Sequence, residues 1–104
     1  VIFMIKHIVM WNLKEEALGN SKKINAKMMK EKLEALKVEI PELKYIEVGI
    51  NDEDYAPENY DVILISEFEN FEGLSGYAIH PKHKEVGKFI KGVTQARTAV
   101  DYKF

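Results

Sequence analysis

Cysteine is absent from this chain of 104 residues. Disulfides and thiolate chemistry are thereby excluded, and the composition suits a reducing interior, so a cytoplasmic setting is expected. Long apolar runs are missing too. None approaches the ~20 residues that a membrane helix needs. The start is apolar, but Lys6 and His7 interrupt it and no small-residue cleavage site follows, so no signal peptide is expected. A surplus of one charge is also lacking. The formal net charge is -2, with acids and bases mixed along the chain. No basic stripe with interleaved aromatics is left for nucleic acid. A phosphate-cradling glycine loop and any flavin or nucleotide motif are absent, so no cofactor is implied.

What remains is a chain the size of one domain, residues 1–104. Folding at this length buries roughly two-thirds of the surface that the unfolded chain exposes, enough for a modest core. The first residue is Val1, yet "MIKHIVMW" from Met4 reads like a natural start. Whether Val1 to Phe3 belong to the native start is not decided by the sequence.

Hydrophobic periodicity orders the chain into six main elements. Phe3 to Leu13 reads as a strand, with Phe3, Ile5, His7, Val9 and Trp11 on one face and Met4, Lys6, Ile8, Met10 and Asn12 on the other. Both faces are largely apolar, which predicts cover on both sides. Glu15 to Asn20 is a polar connection, and Asn20 or Ser21 can cap the helix that follows. Ala26, Met29, Leu33, Leu36 and Ile40 recur at spacings of three and four, and Pro41 stops that helix. Leu43 to Ile50 is a second strand, Asn51 to Asn59 a polar loop, and Tyr60 to Phe68 a third strand apolar on both faces. Phe71, Leu74 and Ala78 can form the buried side of a short helix. Pro81 suits the first turn of another, running to about Lys91. Thr94 to Phe104 closes the chain as a strand. The order strand, helix, strand, strand, helix, strand predicts an α+β, ferredoxin-like subunit of two split βαβ units around a four-stranded antiparallel sheet.

In that arrangement the helices cover one face of the sheet. The other is left bare, and the first and third strands make it apolar. Pairing with a second copy hides such a face and turns two sheets into one barrel, so a homodimer is expected. A small-molecule ligand then finds room between the sheet and its helices, or at the barrel mouth.

Two of the three histidines fall in "YAIHPKHKEVG", Tyr77 to Gly87, astride Pro81. Three readings fit. His80 and His83 with His7 make three nitrogen ligands of a kind that suits zinc, although no orienting carboxylate is placed nearby; no metal is our expectation. His80 and Pro81 form a structural corner between helices, with His83 solvated beside Lys82 and Lys84. Or a neutral histidine acts as base and a tyrosine hydroxyl as acid, with His7 entering from its apolar row. Spacing alone does not choose among them.

"MIKHIVMWNLKEE", "IPELKYIEVG", "NYDVILISEF" and "YAIHPKHKEVG" resemble, in order and over nearly the whole chain, the stress-responsive dimeric α/β-barrel (Dabb) family. The resemblance implies the ferredoxin-like subunit and the dimeric barrel. Activity in this family is diverse and often unknown. A plant member, a polyketide cyclase, is more distantly similar. Carried over from it by position, Tyr77 and His83 are the acid–base pair and His7 lines the cavity. Val9, Trp11, Met29, Leu33, Val86 and Gly87 become the substrate-binding lining. His80 and Pro81 keep the corner. The match departs where a cavity histidine of that enzyme falls on Val62, and where phenylalanines fall on Met29 and Lys30, so its substrate is not implied. The expectation is a small apolar carbonyl or phenolic ligand handled by cofactor-free acid–base chemistry of cyclase, isomerase or lyase type. The alternative is a ligand-binding or stress-protective dimer without turnover.

Overall fold

The computed structural model describes residues 3–104, so the expectation about Val1 and Ile2 lies outside the described residues. The chain runs β1 (Ile5–Leu13), β2 (Glu16–Ala17), β3 (Asn20–Ser21), α1 (Lys22–Glu34), α2 (Leu36–Glu39), β4 (Tyr45–Ile50), β5 (Val62–Phe68), α3 (Phe71–Ile79), α4 (Pro81–Val93) and β6 (Thr94–Lys103). The four long strands form one antiparallel sheet in the order β4-β5-β1-β6. This is the ferredoxin-like fold predicted from the element order.

Local chemistry explains most boundaries. The polar connection after β1 folds into a small hairpin, β2 paired with β3, rather than a plain loop. Its turn places Leu18 at φ 51 and Gly19 at φ 80, the left-handed pair that a two-residue hairpin demands. Ser21 then caps α1 by accepting a bond from the Ile24 amide at 3.3 Å. Asn25, fully buried, donates to the carbonyls of Ala17 and Asn20 and ties the hairpin to the helix. The single helix expected up to Pro41 is instead two, α1 and the short α2, interrupted at Ala35, and Ile40 lies just beyond helix; the stop before Pro41 is this extended Ile40.

Between the sheet and the helices lies the core. Val9, Trp11 and Leu13 of β1, Val62, Leu64 and Phe68 of β5, and Met29 and Leu33 of α1 are all buried there. The inner side of α3 differs from the expected one. Phe71 is half exposed and Ala78 lies outward, while Tyr77 is 1% exposed and Leu74 partly buried. The aromatic Phe68–Tyr77 contact, with ring centroids 5.1 Å apart, decides the rotation of that helix.

Among the described residues, no helix covers the opposite face. Register pairs Ile8 with Ile65 and Val100, and Met10 with Ile63 and Thr98, so an apolar centre runs across three strands. Its rim is polar, with Lys6 3.7 Å from Glu67 and the Tyr45 hydroxyl donating to Glu47.

Phe68 holds the floor beneath Tyr77. Phe68→Ala is expected to cost about 3–5 kcal/mol, the range for removing a buried aromatic. The measurement is the urea midpoint of the purified variant. A loss below about 1 kcal/mol would show that the core collapses readily at this point and that Tyr77 is held by something else.

Candidate functional site

The site begins at a proline. Pro81 forces His80 out of helical geometry, to φ -62 and ψ 134, so α3 ends and α4 begins at one residue. His80 is useful there. Its Nδ1 accepts a bond from the Lys82 amide at 3.1 Å, capping α4, and this is the corner role expected for it. The turn brings His83 back against α3, where its Nδ1–H donates to the Ala78 carbonyl at 3.1 Å. That carbonyl belongs to the last turn of α3 and has no partner along the helix. The bond fixes the tautomer and leaves Nε2 as the basic nitrogen.

Opposite α4, β1 presents His7, Val9 and Trp11 on its inner face. A cleft of about 710 Å³ lies between sheet and helix, and His7, Val9, Trp11, Leu33, His83 and Gly87 are among its walls. Its volume suits a small organic ligand. His7 and His83, distant in sequence, therefore do face one space. His7 is held in turn by Asp101, its register partner on β6, with Nδ1 2.5 Å from a carboxylate oxygen. Ser66 donates to the His7 carbonyl at 3.1 Å from the other neighbouring strand. Asp101 was not singled out in the sequence. Only the pairing of β1 with β6 brings the two together, and a strand's register is not written in either residue.

Three expected residues stand elsewhere. Met29 is fully buried in the core and Val86 packs partly buried against it, and neither lines the cleft. Tyr77 is also not in its wall. Its ring lies behind His83, centroids 4.3 Å apart and tilted by 48°. Its hydroxyl is buried with no partner among the described residues. Burial pushes that hydroxyl's pKa far above the usual 10. Tyr77 thus shields His83 on the side away from the cleft.

His83 feels two opposing influences. Burial is the larger and disfavours the charged ring; the Ala78 carbonyl favours it. The positive charge of Arg97 acts in the same sense as burial. The net effect lowers the pKa below its ordinary 6.5, so the ring is neutral at pH 7. Among the described residues, no three His, Cys, Asp or Glu side chains come together in a way that could hold a metal ion.

Comparison with known proteins places this geometry in a family. Residues 5–104 match the Stress responsive A/B Barrel Domain. A dimeric protein of unknown function and ferredoxin-like fold from Bacteroides fragilis is 36% identical, with a TM-score of 0.86, over 97% of this chain and 96% of that one. A dimeric ferredoxin-like protein of unknown function from Thermobifida fusca is 24% identical, TM-score 0.82, over 98% and 92%. A hydroxynitrile lyase from Passiflora edulis is 16% identical, TM-score 0.80, over 97% and 93%. The last two resemble this chain in fold alone. No curated protein matches the sequence.

The lowered pKa has a consequence for stability. Between its folded and unfolded values His83 binds a proton more readily in the unfolded chain, so stability falls as pH drops below 6.5. The contribution is complete above 6.5 and is lost as pH falls toward the folded pKa. His83→Gln keeps a donor for Ala78 but cannot titrate. The gap between wild-type and variant urea midpoints should therefore shift against wild type on going from pH 7.5 to about pH 5. A gap that stays constant, or moves in favour of wild type, contradicts the burial of the ring.

Proposed function

The chain belongs to the stress-responsive A/B barrel family, and on that premise we propose that it is a homodimer that binds a small apolar carbonyl or phenolic compound in the cleft and transforms it by cofactor-free acid–base chemistry. The observation that carries this is His83. It is neutral at pH 7, its Nδ1 is committed to Ala78, and it stands in the same cleft as His7.

The chemistry follows from the two rings. Nε2 of His83 removes a proton from the carbon next to a carbonyl, or from a phenol conjugated to one, and the electron pair that is freed moves toward the carbonyl oxygen. His7 acts in its doubly protonated form, paired with Asp101 through Nδ1–H: its Nε2–H faces that oxygen and passes its proton to it, leaving the neutral ring with Nδ1–H still on Asp101. Cyclase, isomerase and lyase reactions all share this step. In this proposal the donor role that the resemblance gave to Tyr77 passes to His7. Tyr77 instead holds and desolvates the His83 ring. The Passiflora edulis neighbour, a hydroxynitrile lyase, is a precedent for lyase chemistry on this fold, although a fold carries no reaction by itself. The setting is cytoplasmic, where a chain without cysteine forgoes no cross-links.

Dimerisation is supported by the uncovered sheet face, whose apolar centre and polar rim match the anatomy of an interface. The Bacteroides fragilis relative is itself dimeric. A second reading, ligand binding without turnover, is favoured by one observation: the Tyr77 hydroxyl is sealed away from the cleft.

Two measurements test these readings. Sedimentation at micromolar concentration should give a single species of twice the 12.0 kDa chain mass. A stable monomer would sink the barrel. With a panel of small ketones, aldehydes and phenols, His83→Ala should lose roughly 100-fold or more of kcat/KM on any compound that wild type converts. Its dimer should stay intact. Normal turnover by the variant removes His83 from the mechanism, and binding without turnover by wild type establishes the second reading.

A further inference from the structure

The cleft is lopsided in charge. Its walls are apolar at Val9, Trp11, Leu33 and Ile90, yet its charged members are Lys84, Lys88, Lys91 and Arg97, all cationic. Among the described residues no Asp or Glu lines it, in a chain whose 17 acids outnumber its 15 bases. The lysines follow one another at helical spacing along α4 and by themselves would be an ordinary solvated stripe. Arg97 is different. It comes from β6, across the cleft, where its register partner is Trp11, so it stands on the inner face beside the apolar walls. No carboxylate lies within ion-pair distance of it among the described residues. The only acid on its strand, Asp101, is engaged by His7. Arg97 and His83 both line this cleft.

From this arrangement we infer that the ligand is an amphiphilic anion, an apolar body bearing a carboxylate or an equivalent acidic group, with the anionic group seated on Arg97. The inference rests on the reading that this cleft is the substrate site. A guanidinium presents two parallel N–H donors that match a carboxylate, which a lysine does not. Lys88 and Lys91 add field at the mouth and draw an anion in. The body of the ligand lies against Trp11 and Leu33, and the acidic end fixes which part of it meets His83. A neutral phenol or ketone would leave Arg97 facing the cleft without a counter-charge.

A matched pair of fluorescent probes tests this. 1-Anilinonaphthalene-8-sulfonate and N-phenyl-1-naphthylamine share one aromatic body and differ in the sulfonate. Three forms of the protein are titrated: wild type, Arg97→Gln and Gly87→Leu. The last is a plug. A Cβ at Gly87 meets nothing within 4 Å, so a leucine there enters the cleft without a clash and replaces a glycine inside a helix. Wild type should bind the sulfonate at least about ten-fold more tightly, a preference that one well-placed charge-assisted contact supplies. Arg97→Gln should bring the two probes within about three-fold by weakening the sulfonate alone, and Gly87→Leu should lose both. Equal affinities in wild type, or a preference that survives Arg97→Gln, overturns the inference. If Gly87→Leu still abolishes binding in that case, the cleft stands as the ligand site and only its charge preference is refuted. If Gly87→Leu leaves both probes bound, or neither binds wild type, the cleft is not the site and the proposed function falls with the inference.

Discussion

The steric conflict between the Pro81 ring and a helical His80 governs the rest of the site. Without it α3 and α4 would continue as one rod, and His83 would follow Tyr77 and His80 down a single face. With it, the chain turns at one extended residue and the first turn of α4 folds back on the last turn of α3. Two orphan backbone groups are satisfied as a result. The His80 side chain takes the Lys82 amide and His83 takes the Ala78 carbonyl. The same corner that makes His83 a cap also commits Nδ1 and leaves Nε2 for chemistry.

The sheet imposes the second constraint, through alternation. On β1, His7, Val9 and Trp11 face the cleft, while Lys6, Ile8 and Met10 face the uncovered side. A slip of one residue would exchange the two sets and place a histidine on the uncovered face. Contacts on both neighbouring strands hold the register at this residue. Ser66 of β5 donates to the His7 carbonyl, and Asp101 of β6 binds the His7 ring. One strand thus borders both the uncovered face and the cleft, which explains why it is apolar on both sides.

Much of this is legible in the sequence because it rests on local rules. The cap at Ser21, the stop at Pro41, the break at Pro81 and the extended His80 all follow from one or two neighbouring residues, and they appear as expected. So does the element order, and with it the fold. What escaped the sequence depends on packing between distant segments. Tyr77 was expected in the site because the family resemblance carried an acid–base role to its position; the tilted contact with Phe68, nine residues earlier on another element, turns its ring to the core side. Met29 follows a helical apolar period, and that period identifies the buried face without saying which part of it borders a void. Asp101 carries no signal at all until the sheet is assembled. The small hairpin after β1 was marked by its Gly alone, and Leu18 at positive φ is a residue that turn statistics do not nominate.

The electrostatics of the cleft tie these parts together. A histidine that donates to a carbonyl at a helix C-terminus ordinarily holds its proton more firmly, because those carbonyls attract positive charge. Here the Ala78 carbonyl acts in that sense and is outweighed, first by burial, with the positive charge of Arg97 acting in the same direction as burial. Arg97 adds to that lowering in a small way, and on the inference drawn above it is also where the ligand's acidic group sits. An anion seated there would offset part of the positive charge facing His83, so ligand binding and the basicity of the ring are coupled in one direction: an acidic ligand favours the protonated ring that proton abstraction produces.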